Sequence, residues 1–132
     1  MLASGLPEIV GDDEDLARFL TSSNQFSSLM VKPAAFLPSV RDRETSVFRH
    51  GGESPEALWA IGEAHLPRFH GAAIIKAHDC RATLLDVVAD EPPQRHGAIV
   101  GWPWLDNDPI EQKAQQKERA VQIASKAALL RR

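Results

Sequence analysis

Cysteine is almost absent from this sequence, and its scarcity limits the available chemistry. Cys80 is the only cysteine in 132 residues, so no disulfide can form within the chain and a zinc site would need mostly histidine ligands. The N-terminus lacks the basic start and apolar stretch of a signal peptide, and no run of about 18 apolar residues could span a bilayer. We therefore expect a cytoplasmic protein that does not enter a membrane.

The sequence also lacks every motif that would fix a reaction. It contains no HExxH or paired CxxC metal motif, no GxSxG nucleophile motif and no glycine-rich phosphate loop. His78 and Cys80 are two residues apart and would point away from each other on a helix, so we interpret Cys80 as a buried structural residue. We expect no cofactor and no metal, with a site built from distant histidines as the minor alternative, and we favour a protein that is not an enzyme.

Length and composition favour one folded domain. A chain of 132 residues falls within the common domain size of about 100 to 150 residues. Hydrophobic residues make up 43% and charged residues 25%, which argues against disorder along the whole chain. We expect a flexible N-terminus over residues 1–11 and a single domain over residues 12–132.

Capping signals and apolar periodicity predict three helices. A short helix is expected from Asp12 or Asp13 to about residue 21, because Leu16, Phe19 and Leu20 would share one face. Ser54-Pro55 and Asp108-Pro109 each place an N-cap residue before a proline, which predicts helices over residues 54–66 and 110–132.

Short apolar runs bounded by glycine, proline or polar residues predict about four strands. They cover residues 44–50, 72–77, 86–89 and 97–101. The predicted fold is therefore α+β, with a small sheet covered by the 54–66 helix and the C-terminal helix.

The apolar stripe of the C-terminal helix is weak. Ile110, Ala114, Val121, Ala124 and Ala128 fall near one face, but alanine dominates and Lys117 interrupts the stripe. This helix either packs lightly or extends toward a partner. Residues 108–132 carry six basic and three acidic residues, which either complement the helix dipole or contact an acidic partner or nucleic acid.

Four basic residues at the ends of predicted strands form a candidate phosphate site: Arg49, Lys76, Arg95 and His96. Loops at strand ends often carry function, and together these groups could hold a nucleotide or a nucleic-acid backbone. The alternative is that Arg49 or Arg95 forms an ion pair with Glu44, Asp90 or Glu91.

The segment DEPPQRHGAIVGWPW, residues 90–104, predicts a stiff loop that enters a strand. Trp102 and Trp104 flank Pro103 and point in alternate directions in an extended chain, so one of them could be exposed as an anchor for a protein partner. The alternative is that both tryptophans fold against the core.

Several blocks of this sequence resemble blocks that occur in the same order in a group of small, uncharacterised bacterial proteins. They are FSSLMVKPAAFLP (26–38), ETSVFR (44–49), HGAAIIKAHD (70–79) and DEPPQRHGAIVGWP (90–103). The resemblance covers residues 16 to about 112 and implies a free-standing bacterial protein, with no reaction, cofactor or catalytic residue to transfer.

These features favour a non-enzymatic accessory protein that binds a macromolecular partner, most simply a protein, through residues 92–104 and the basic tail. The alternative is an enzyme or binding domain for a phosphate-containing ligand or nucleic acid that uses the four basic residues. The sequence does not fix the oligomeric state.

Overall fold

The computed structural model describes residues 2–132, and within them the chain forms one antiparallel sheet of six strands. The strands in chain order are β1 (Asp15–Leu20), β2 (Thr45–Arg49), β3 (Gly71–Lys76), β4 (Asp86–Ala89), β5 (His96–Val100) and β6 (Ala128–Arg131). Their order across the sheet is β4-β5-β2-β1-β3-β6. The α+β class is confirmed, but the predicted number of strands was too low.

The helices are α1 (Pro55–His65), α2 (Ala77–Arg81) and α3 (Pro109–Lys126), and single 3-10 turns cover Ser23–Gln25 and Pro33–Ala35. Both predicted capping signals are confirmed. The Ser54 side chain accepts a hydrogen bond from the Ala57 N–H at 3.2 Å, and the Asp108 side chain accepts one from the Glu111 N–H at 3.1 Å. These bonds satisfy amide groups that would lack partners in the first turn of each helix.

The helices cover opposite faces of the sheet. Alternation along β1 sends Leu16 and Leu20 to one face and Ala17 and Phe19 to the other. Helix α1 packs on the second face through Leu58, whereas α2, α3 and the Pro33–Ala35 turn contribute to the core on the first face. Among residues 2–132, no helix has the length and apolar character needed to cross a membrane.

The predicted N-terminal helix was wrong, because residues 15–20 form β1 between β2 and β3. Leu16, Phe19 and Leu20 have helical spacing, but in a central strand both faces are buried, so an apolar run has no visible alternation. Pairing with two neighbouring strands satisfies the backbone on both sides.

The predicted extent of the C-terminal helix was also wrong. Helix α3 ends at Lys126, Ala127 is extended, and β6 then pairs with β3. No glycine or proline marks this change, because an extended alanine ends the helix as its N–H bonds the Ala124 carbonyl. The half-buried Leu129 and Leu130 stabilise the strand by packing on the two core clusters.

Gly71 allows β6 to lie close to β3. A Cβ atom on Gly71 would collide with the carbonyl oxygen of Leu130, which belongs to the backbone and cannot move like a side chain. We expect Gly71→Ala to lower the free energy of unfolding by about 1–3 kcal/mol, as overpacking does elsewhere. It should also speed hydrogen–deuterium exchange in residues 128–131.

Gly11→Ala is the matched control, since a Cβ there meets nothing within 4 Å and the backbone is not left-handed. Urea unfolding of both variants measures the difference. Equal stability of the two variants would contradict the assigned contact between β3 and β6.

Candidate functional site

The four predicted basic residues lie at one end of the sheet. The strand register places Lys76 opposite Asp15, Arg49 opposite Leu16, and His96 opposite Phe48. Arg95 immediately precedes β5, and its carbonyl accepts a hydrogen bond from the Arg49 N–H at 2.7 Å. The topology therefore brings these residues into one row.

Each of these four basic groups is paired with a carboxylate. The pairs are Arg49–Glu14 at 2.8 Å, Lys76–Asp15 at 3.1 Å, Arg95–Glu53 at 3.2 Å and His96–Asp90 at 3.1 Å. The predicted ion-pair alternative was wrong about the partners of both arginines. Arg49 pairs with Glu14 and Arg95 with Glu53, instead of with Glu44, Asp90 or Glu91. The row offers little uncompensated positive charge to a phosphate.

The contacts of Arg49 indicate a structural role. Its side chain is 0% exposed, two of its nitrogens bond the two carboxylate oxygens of Glu14, and its third bonds the Pro7 carbonyl at 2.7 Å. A guanidinium that binds a carboxylate in bidentate fashion, with each of its three nitrogens bonded, fixes the N-terminal segment against β2. Burial raises the pKa of Glu14, but the bonds from Arg49 and the Gly11 N–H, with the charges of Arg49 and Arg81, lower it overall.

His50 follows β2 and is the least satisfied polar side chain at this end of the sheet. It is 5% exposed, and neither ring nitrogen has a hydrogen-bond partner within the described residues. Burial lowers its pKa; Asp15 opposes this effect, Arg95 adds to it and Glu53 opposes it. His50 is therefore harder to protonate than a free histidine. Across residues 2–132, no three His, Cys, Asp or Glu side chains lie together as a metal site would require.

The two tryptophans differ in exposure. Trp102 is buried and its indole N–H has no partner among the described residues, whereas Trp104 is half-buried. The guanidinium of Arg43 lies 4.7 Å from the centre of the Trp104 ring and forms an ion pair with Asp106 at 3.7 Å. Trp104 thus keeps one surface open while a cation covers another.

Cys80 is buried in the core beside α3. Burial raises the pKa of its thiol to about 12, Asp79 adds to the rise, and Arg81 opposes it. A thiol in this environment stays protonated and is a poor nucleophile.

A large apolar groove lies outside the predicted site, between residues 32–40 and the first half of α3. Its volume is about 690 Å³. Its lining residues are Asn24, Lys32, Pro33, Ala34, Leu37, Pro38, Val40, Lys113, Ala114, Gln116 and Lys117. We call it the lysine-rimmed groove.

The floor of the lysine-rimmed groove is apolar and open to solvent. Val40 is 83% exposed, and Leu37 also leaves a large part of its side chain uncovered. The loop that contains Pro103 is tied to a lining residue of the groove, because the Gln116 amide donates to the Pro103 carbonyl at 2.8 Å. Uncovered apolar surface of this kind often marks an interaction site.

The rim of this groove is positively charged. Three of the five lysines of the chain, Lys32, Lys113 and Lys117, line it, and within residues 2–132 none of them forms an ion pair. No acidic residue of the described chain lines it either. The basic groups at the strand ends are paired with carboxylates, whereas these three lysines are not.

Sequence reasoning did not identify this groove, although one signal pointed to it. The weak stripe predicted on the C-terminal helix comprised Ile110, Ala114, Val121, Ala124 and Ala128, and the structure exposes all of them except Ala124. The core uses a neighbouring face of α3, with Gln116, Ala120, Ile123 and Ala124. Residues 32–40 gave no sign that they would meet α3.

No protein-family model, curated protein or solved structure matches this chain. The resemblance to small bacterial proteins therefore remains a prediction.

Removing the Glu14 carboxylate should destabilise the protein strongly. We expect Glu14→Gln to lower the free energy of unfolding by about 2–4 kcal/mol, because it leaves the buried Arg49 guanidinium without its counter-charge. The control Asp15→Asn, in the partly exposed pair with Lys76, should cost less than about 1 kcal/mol. Chemical denaturation at pH 7 measures both.

The Glu14 pair also sets a pH dependence. Because the pKa of Glu14 is lowered from 4.5 in the folded state, its stabilising effect is complete above that value and is lost as the pH falls through the folded-state pKa. The stability of Glu14→Gln should therefore decline less than that of wild type in this acid range. Parallel acid curves would contradict the assigned role.

His50 should weaken the fold at mildly acidic pH. Its pKa is lowered from 6.5 in the folded state, so the unfolded chain binds a proton first and stability falls as the pH drops below 6.5. As the pH falls through this range, the free energy of unfolding of wild type should drop faster than that of His50→Phe, by up to about 1.4 kcal/mol per pH unit. The exposed His78→Gln variant is the control and should follow wild type.

Proposed function

We propose that this protein is a non-enzymatic accessory protein that binds an acidic segment of a protein partner in the lysine-rimmed groove. The observation that supports it is the combination of an exposed apolar floor with three unpaired lysines at the rim. Apolar contact supplies affinity, while the lysines attract and orient a partner of opposite charge.

The distribution of charge favours this proposal over a phosphate site at the strand ends. Arg49, Lys76, Arg95 and His96 each face a carboxylate within 3.2 Å, and a phosphate there would have to displace or oppose it. The groove lysines carry no such penalty. A purely anionic ligand would also leave the apolar floor in contact with water.

The Pro92–Trp104 region keeps a part in the proposal. Pro103, the residue before Trp104, is bonded through its carbonyl to Gln116, which lines the groove. We therefore include Trp104 and the Arg43 side chain that lies over it in the proposed partner surface. A cytoplasmic partner fits a chain whose only cysteine is a buried free thiol.

The proposal predicts which peptides bind and which substitutions abolish binding. A phage-displayed library of random peptides, selected on the wild-type protein, should be enriched in sequences that combine Asp or Glu with large apolar residues. Lys117→Glu should weaken these peptides at least about tenfold, or about 1.4 kcal/mol, through like-charge repulsion. Fluorescence anisotropy of the selected peptides measures the change.

Two matched controls separate the groove from general effects. Lys126→Glu makes the same charge change on the same helix but outside the groove, and Ala60→Glu on exposed α1 matches Ala114→Glu inside it. Peptides that bind all four variants equally would overturn the proposed site. Loss with Ala114→Glu and Lys117→Glu alone would support it.

A further inference from the structure

The lysine-rimmed groove continues along α3 as a longer track. A second cavity of about 500 Å³ shares Ala114 and Lys117 with it and adds one acidic lining residue, Glu118. A third cavity of about 290 Å³ shares Val121 with the second. From Lys113 to Ala127 the track spans about 21 Å, since a helix rises about 1.5 Å per residue.

The exposed face of α3 has the spacing of a helix-packing surface. Ile110, Ala114, Lys117 and Val121 follow one another at intervals of four, three and four residues, the pattern that packs one helix along another. Val121 is 44% exposed, and none of these four residues belongs to the buried face of α3. The small Ala114 side chain allows close approach of a second backbone.

The far end of the track is bounded by an exposed hairpin tip. Phe26 and Val31 form an isolated antiparallel bridge, the Ser27 N–H donates to the Met30 carbonyl at 2.8 Å, and Leu29 at the tip is 88% exposed. Leu29 and Met30 line the third cavity with Val121. The tip therefore provides a second apolar contact beside residues 121–127, about two to four turns beyond Lys113.

We infer that the occupant of this track is an acidic amphipathic helix of a partner protein, about four turns long, lying along α3. Its apolar face meets Ala114, Val121 and the Leu29–Met30 tip, and carboxylates one turn apart meet Lys113 and Lys117. This inference rests on the proposed function and specifies the conformation and length of the partner segment.

A helix fits this track better than an extended strand does. The backbone amides of α3 are bonded within the helix, so a strand would find no unpaired edge here, whereas the free sheet edges belong to β4 and β6. A second copy of the chain fits less well, because it would bring two sets of groove lysines into one interface, and like charges oppose that association.

The test compares two displayed libraries on the same protein. One presents about 16 residues on an alanine- and glutamine-rich helical scaffold, randomised along one face, and the other presents random segments of the same length with proline at every fourth position. Selection is run on wild type, Val121→Glu and Lys117→Glu, with Ala60→Glu on the exposed side of α1 as the control. Circular dichroism of selected peptides reports helix formed on binding.

We expect the helical library to yield binders with acidic residues one turn apart, and Val121→Glu and Lys117→Glu each to weaken them at least about tenfold. Binders that depend on Lys117 but tolerate Val121→Glu, or that come from the proline library, would overturn the helix inference and leave the proposed function standing. No binder sensitive to Lys117→Glu would overturn both. Dimerisation of the protein alone, abolished by Val121→Glu, would assign the track to a second copy instead.

Discussion

The burial of β1 on both faces is the constraint on which this structure depends. Leu16 and Leu20 require a cover on one side of the sheet, and Ala17 and Phe19 require another on the opposite side. Helix α1 supplies the second cover, so α3 must supply much of the first. Helix α3 packs on the sheet with one face only. The neighbouring face, with Ile110, Ala114 and Val121, is therefore left uncovered, and Ala114 on this face lines the lysine-rimmed groove.

Charges in this protein fall into two groups with different consequences. At the strand ends, basic and acidic side chains neutralise one another; Arg81, for example, bridges Asp12 at 2.6 Å and Asp86 at 2.8 Å. These pairs hold the N-terminal segment and the strand ends in place. The groove lysines have no such partners, so they influence what approaches from outside and contribute little to the fold.

The sequence predicts the parts of the fold that have local signals and misses those that depend on distant contacts. Ser54 and Asp108 cap their helices as expected, because an N-cap acts within three residues. The strand at residues 15–20 was taken for a helix, since its burial on both faces removes the alternation that identifies strands. The ion pairs at the strand ends and the lysine-rimmed groove were missed for a related reason. Glu14 and Arg49 are far apart in sequence, as are Val40 and Lys113, so no local pattern connects them.

A net charge of −3 hides the positive charge at the rim of the proposed binding groove. Much of the negative charge near the N-terminus faces Arg49, Lys76 or Arg81, so it does not repel an acidic partner as the total charge would suggest. An acidic segment without apolar residues gains only screened attraction to the lysines, and an apolar segment without acid leaves them uncompensated. Only a partner that combines both features uses the whole groove, which is why its chemistry favours an amphipathic protein segment over nucleic acid.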